Sequence, residues 1–179
     1  MGAPGPGTDG PTVVDAFWQV ARMRAKLNPT GYYTGERPLD SLPPPAWAFG
    51  ATPEEADESL RLVLSGSKTA TAGALWDYED AGEELPTPGA LGIVTDGRGV
   101  PHALVVTTEV EVVPFDEVSA EHAYLEGEGD RSLAAWREVH ERFFTDHATH
   151  HRRFSRDMPV VLQRFAVLYR DTGPGSIPR

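Results

Sequence analysis

Ser67-Lys68-Thr69-Ala70-Thr71 places one lysine and three hydroxyls within five residues. Thr71 can supply a nucleophilic hydroxyl or position a water. Lys68 can serve as a base only where a dry, cation-poor setting lowers its pKa. On a regular strand Thr69 and Thr71 share one face and Lys68 lies on the other. A bend at Gly66–Lys68 is therefore required to bring Lys68 to Thr71. The plainer alternative is a solvated helix end, where a lysine favours the dipole, followed by an ordinary β-rich segment.

Other residues compete for chemistry. Glu126, Glu128 and Asp130 are spaced by glycines, which suit a divalent cation or equally a solvated loop. Asp77, Glu79, Asp80, Glu83 and Glu84 read as a solvated acidic loop over Asp77–Gly89. His147, His150 and His151 lack HExxH spacing and sit beside Arg152 and Arg153, so a solvated basic turn is expected. Arg152, Arg153 and Arg156 are the densest basic run and the best candidates for a phosphate contact. Trp76 and Tyr78 follow the motif and suit stacking on a base, or packing. His140 has helical spacing with Trp136 and Phe143 and reads as a packed core histidine.

The junction needs rigid elements on both sides. Before it, Thr52 reads as an N-cap, Pro53 as the first helical residue and Glu55 as the partner of a capping box. Ala56, Leu60, Val63 and Leu64 then fall on one face, and Gly66 closes the helix. After it, Ala90–Thr95 and His102–Val113 read as strands joined by the turn Asp96-Gly97-Arg98-Gly99. A short helix is expected over Ala120–Glu126. Another starts after Ser132 and runs to about Asp146 with Leu133, Trp136, Val139, His140 and Phe143 inward. Pro159–Arg170 is the last strand.

Upstream, Thr12–Leu27 reads as a helix with Val13, Phe17, Val20 and Ala21 inward. Residues 1–11 are expected to be a disordered tail and 171–179 a flexible one. The helix and the proline-rich arm, 12–50, are expected to pack on the domain through Trp47 and Phe49. The main domain is expected over 51–170, and the pattern is α+β with a small sheet or barrel.

The chain has 179 residues, no cysteine and a net charge of −11. Disulfide-linked partners and thiolate metal sites are excluded, and the lack of cysteine fits a cytoplasmic protein. No signal peptide is visible at MGAPGPGTDGP, and no apolar run approaches the ~20 residues of a membrane span. The acidic charge opposes sequence-independent nucleic-acid binding and favours a small or neutral ligand.

Gly66-Ser67-Lys68 with TAT, the segment EHAYLEGEGDRSLAAWREVHERFF and the closing VVLQRF resemble the ASCH-domain family of the PUA-like superfamily. The resemblance spans roughly residues 47–170 and implies a small antiparallel or mixed β-barrel with flanking helices. Where the family often has G-x-K-x-x-E-x-R, this chain has Thr71 and Gly73, which looks like the K-T-x-T form of members that hydrolyse N4-acetylcytidine. In those, a lysine, a threonine and a glutamate are the proposed catalytic group. Carried over, they are Lys68, Thr71 and Glu126, four residues after His122, with Glu128 as the alternative glutamate. Glu126 would protonate the leaving nitrogen if burial raised its pKa, or orient Lys68 if it stayed ionised. Beside that group, Thr69, Trp76, Tyr78, Glu128, Arg152 and Arg153 are the candidate substrate-binding residues. No cofactor is expected for that reaction. Other members cleave RNA, so a single-stranded ribonuclease, with a divalent metal, and a non-catalytic RNA-binding module are the rival expectations.

Overall fold

The computed structural model describes residues 12–27 and 42–171. The two expected tails and most of the proline-rich arm lie outside the described residues. Helix α1, Val13–Arg24, begins at Thr12, whose side chain accepts the Asp15 N–H while the Asp15 carboxylate accepts from Thr12. It buries Phe17, Trp18 and Ala21, with Val14 and Ala25 partly buried beside them. Val13 and Val20, expected inward, are 63% and 42% exposed. The stripe 14-17-18-21-25 includes both aromatic rings, whose larger area sets the helix rotation.

Strand β1, Ala46–Trp47, precedes helix α2, Pro53–Ser65. Thr52 caps α2 as expected, accepting the Glu55 N–H at 3.2 Å. The Glu55 carboxylate turns instead to the Ala51 N–H, 2.7 Å away, so the box closes one residue early. Ala56, Leu60 and Val63 are buried and Leu64 half-buried. Strand β2, Ala70–Ala74, runs directly into helix α3, Leu75–Ala81. That helix replaces the first part of the loop expected from Asp77. It buries no residue and is seven residues long, so it lacks the apolar stripe that would betray it.

Strands β3, Leu91–Thr95, and β4, Pro101–Pro114, form the expected hairpin. Helices α4, Ala120–Glu126, and α5, Leu133–Asp146, follow, capped by Ser119 and Ser132. On α5, Trp136, His140 and Phe144 are the buried residues, whereas Val139, expected inward, is 48% exposed. Strand β5, Pro159–Arg170, ends the fold.

The five strands lie in the order β1-β3-β4-β5-β2; β1 pairs parallel with β3 and all other pairs are antiparallel. The long β4–β5 ribbon is its spine. Register shifts at Leu104/Val105 and Thr107/Glu109 bend it, as bulges do. The architecture is α+β, as expected, but the sheet is not closed: among the described residues no pairing joins β1 to β2. β1 is two residues long after Pro43-Pro44-Pro45, too short to bridge the gap. The start of β2 is met by α4, since Thr69 N–H donates to Leu125 O at 2.8 Å.

Residues of β4 alternate between partners. Leu104 packs with Phe17, Trp18 and Ile93 under α1; Ala103 and Val105 pack with Leu60, Val63 and Phe165 under α2. A third cluster joins Phe115, Val118, Trp136, Phe144, Met158 and Val160, setting α4 and α5 against β5. Each large apolar side chain so buried stabilises by roughly 1.5–3 kcal/mol. Among the described residues no helix is long and apolar enough to cross a membrane.

Candidate functional site

Gly66 ends α2 with φ +82°. The Ser67 and Lys68 N–H groups then both donate to Leu62 O, at 2.9 and 3.0 Å. This tight turn leaves Lys68 ahead of β2 and outside strand alternation. The bend that the sequence requires is therefore present, and Lys68 and Thr71 line one cavity.

The second half of the site arrives from α4. Ser119 accepts the His122 N–H, and the helix ends at Gly127 with φ +75°. A Cβ at position 127 would run into the Ser67 carbonyl, so only glycine allows the two helix ends to meet. The meeting sets Lys68 Nζ 3.3 Å from Glu126 Oε2, 3.4 Å from Glu126 O and 2.8 Å from Glu128 Oε1. Lys68 and Glu126 are each 1% exposed, whereas the Glu128 side chain is 38% exposed.

Glu126 is surrounded by donors. Oε1 accepts from Trp136 Nε1 at 2.8 Å and faces His122 Nε2 at 3.2 Å. Oε2 faces His140 Nε2 at 3.4 Å as well as Lys68. Burial alone would raise the carboxyl's pKa. The charges of His140 and Lys68 and the His122 hydrogen bond outweigh burial and hold it well below the usual carboxylate range. For Lys68, burial alone would lower the pKa; the charges of Glu126 and Glu128 outweigh it and hold the ammonium above the ordinary lysine value. The condition under which Lys68 would be a base is therefore not met. Glu126, likewise, is the ionised partner and not a proton donor.

The cavity encloses about 450 Å³, within the range that holds small ligands. Lys68, Thr71, Ala72, Glu126, Glu128 and His140 line one part; Phe49, Leu62, Val139 and Phe143 give it apolar wall, and Glu55 and Glu58 add acid. Phe49 lies 5.2 Å from Lys68 Nζ, so its anchoring role in the arm also closes the site.

Several sequence candidates do not reach this cavity. Thr69 contributes backbone only, through Leu125 O and Phe165 N. Trp76 meets His150 edge-on at 5.1 Å, with Arg152 at the same distance from its ring. Arg152 also pairs with Glu79 at 2.9 Å, and Arg153 is exposed. Tyr78 is half-buried beside Gly73, where burial and the charges of Glu83 and Asp77 push its pKa up. The histidine segment is not simply solvated. His150 is buried, and Asp77 pins the segment by accepting from Thr149 N, Thr149 Oγ1 and His150 N.

His122, Trp136 and His140 are the residues whose part the sequence did not disclose. The signal was i, i+4 spacing, His122 to Glu126 and Trp136 to His140, which reads equally well as packing.

A family model for the ASCH domain matches residues 45–169. The crystal structure of an ASCH domain from Lactobacillus crispatus JV V101 is similar at 28% identity and TM-score 0.73, covering 91% of this chain and 99% of that one. The crystal structure of protein EF3133 from Enterococcus faecalis V583 is similar at 32% identity and TM-score 0.74, covering 93% and 96%. Among curated proteins nothing matches.

Proposed function

The chain belongs to the ASCH-domain family, a PUA-like fold family associated with RNA binding, and from that premise we propose that it hydrolyses the amide of an uncharged N4-acylcytidine-type nucleoside. The observation that carries this reading is the buried Lys68–Glu126–Glu128 cluster opening with Thr71 onto one cavity. Its acids outnumber its lysine: Glu55, Glu58, Glu126 and Glu128 line it against Lys68 alone. A phosphate entering there meets net repulsion, and a neutral nucleoside does not.

The roles follow from charge. Glu126 keeps Lys68 protonated and fixed. The ammonium then stabilises the oxyanion that forms when water attacks the acyl carbon, a pre-organised charge in a dry site. Glu128, exposed enough to exchange partners, is the base that takes the proton of that water. Its flanking glycines leave the loop free to swing its carboxylate from Lys68 to the water. Thr71 orients the water from the strand side. Arg152 and Arg153, on which RNA cleavage would depend, are absent from the cavity lining, so the amide reading stands first.

The test is release of cytidine from N4-acetylcytidine by the purified protein. Wild type turns it over; Lys68→Ala lowers kcat by about 10²–10³-fold, the cost of removing one oxyanion donor. No turnover by wild type, or equal turnover by Lys68→Ala, removes the reading. Cleavage of single-stranded RNA in its place supports the ribonuclease.

A further inference from the structure

We propose that His140 is a further catalytic residue of this cavity, the acid that protonates the leaving nitrogen; the inference rests on the hydrolase reading above. An amide nitrogen departs only with a proton, so the site needs a donor. Lys68 has three N–H bonds and three acceptors, Glu126 Oε2, Glu126 O and Glu128 Oε1, and its proton is held tightly. Glu126 is ionised and Glu128 serves as base. Glu55 is engaged by the Ala51 N–H and Glu58 by Arg61, which leaves His140 among the titratable side chains lining the cavity.

Its geometry suits the role. Nδ1 lies 3.0 Å from the Trp136 carbonyl oxygen, which only accepts, so Nδ1 carries a hydrogen. Nε2 lies 3.4 Å from Glu126 Oε2, in a carboxylate that also only accepts. One acceptor therefore faces each ring nitrogen, the Trp136 carbonyl closely and the Glu126 carboxylate at the longer distance. A proton on Nε2 can leave while Nδ1 keeps its bond to the Trp136 carbonyl, because the contact to Glu126 is the longer and weaker of the two. The ring is stacked on Trp136 at 4.1 Å and 17°, with Phe144 at its edge, 5.8 Å away. Lys68 lies beyond the Glu126 carboxylate, and Glu128 shares with His140 a small hollow of about 30 Å³ at the cavity's side.

The step balances. Water gives one proton to Glu128 and its oxygen bonds the acyl carbon, while the carbonyl pair moves to oxygen beside Lys68. On collapse that pair re-forms the carbonyl, the carbon–nitrogen bond breaks with its electrons on nitrogen, and nitrogen takes the Nε2 proton. Solvent returns the proton held by Glu128 to His140. One water is consumed, and a carboxylic acid and an amine are released.

The experiment uses His140→Gly with added imidazole, and thiazole as a ring of similar shape without an N–H. Turnover of N4-acetylcytidine should fall about 10²–10⁴-fold, and imidazole but not thiazole should restore it at least about tenfold. Rescue by both rings, or by neither, overturns the proposal, because filling the hollow would then be all that His140 does. His140→Gln covers the case in which the glycine variant fails to fold: it should still fold, keep KM and lose kcat. Unchanged kcat in His140→Gln overturns the proposal while the hydrolase reading survives. A wild type without turnover removes both.

Discussion

Glu126 and Asp96 are both buried carboxylates held ionised, and they are built in opposite ways. Asp96 draws its partners from its own turn: Oδ1 accepts from Arg98 N and Val100 N, each at 2.9 Å, and Oδ2 faces Arg98 Nη2 and His102 Nε2, each at 3.4 Å. Burial would raise its pKa, and the backbone hydrogen bonds outweigh burial and lower it. None of these partners is more than six residues away. Glu126 instead gathers Lys68 from 58 residues upstream and Trp136 from the next helix, and it borders a cavity. A carboxylate satisfied by its own turn is explained by the turn. One that pulls three elements together beside an open volume stores charge that the fold alone does not need.

The sharpest way to break this contrast is Glu126→Ala. It leaves Lys68, His140 and His122 facing a void inside the protein. Losing one side of a buried ionic cluster should cost about 3–5 kcal/mol, measured by denaturant unfolding. The pH dependence carries a sign. The folded pKa of Glu126 lies below its ordinary 4.5, so its contribution is full above that value and is lost as pH falls toward the folded pKa. Lys68 has its folded pKa above 10.5, so its contribution is full below that value and is lost as pH rises through the folded pKa. Wild type should therefore hold a stability plateau between the two. Glu126→Gln should flatten the acid limb, and an unchanged acid limb would mean that Glu126 is not ionised in the fold.

Asp96→Ala sharpens the same contrast from the other side. It orphans the Arg98 and Val100 N–H groups and should cost about 1–3 kcal/mol. Nucleoside turnover should stay at the wild-type value, since the turn is not part of the cavity lining. A loss of turnover at unchanged stability would erase the distinction between the two carboxylates.

The local half of this molecule was legible because its signals are local. Thr52, Pro53 and Gly66 mark the ends of α2 through capping and a left-handed residue, and Ser132 marks the start of α5. The β-rich runs 102–113 and 159–170 disclosed strands β4 and β5, and the turn at Asp96–Gly99 disclosed the β3–β4 hairpin, but the β4–β5 pairing was not disclosed. What sequence did not give was convergence. Whether residue 68 turned inward depended on how Gly127 lets α4 approach the 67–68 turn, a contact between segments 60 residues apart. The charge states were hidden for the same reason. Lys68 is a base or a fixed ammonium according to which carboxylates surround it, and neither reading shows in GSKTAT. His140 looked like packing because stacking on Trp136 and facing Glu126 demand the same helical spacing.

The smallest expected effect belongs to Arg152→Ala, and it tests where the functional boundary runs. Arg152 is half-exposed, paired with Glu79 and laid over Trp76. An exposed pair of this kind is worth about 0.2–1 kcal/mol, so thermal unfolding should shift little. Substrate held only by the cavity should be turned over within about twofold of wild type, as for most surface changes away from a site. Single-stranded RNA gives the opposite expectation. If the 149–153 segment contacts phosphate, the variant should bind more weakly at low salt, and the slope of affinity against salt should flatten by about one phosphate contact. A fall in nucleoside turnover would extend the working surface from the Lys68 cluster to Trp76 and Arg152, and the histidine segment pinned by Asp77 would become a wall of the site.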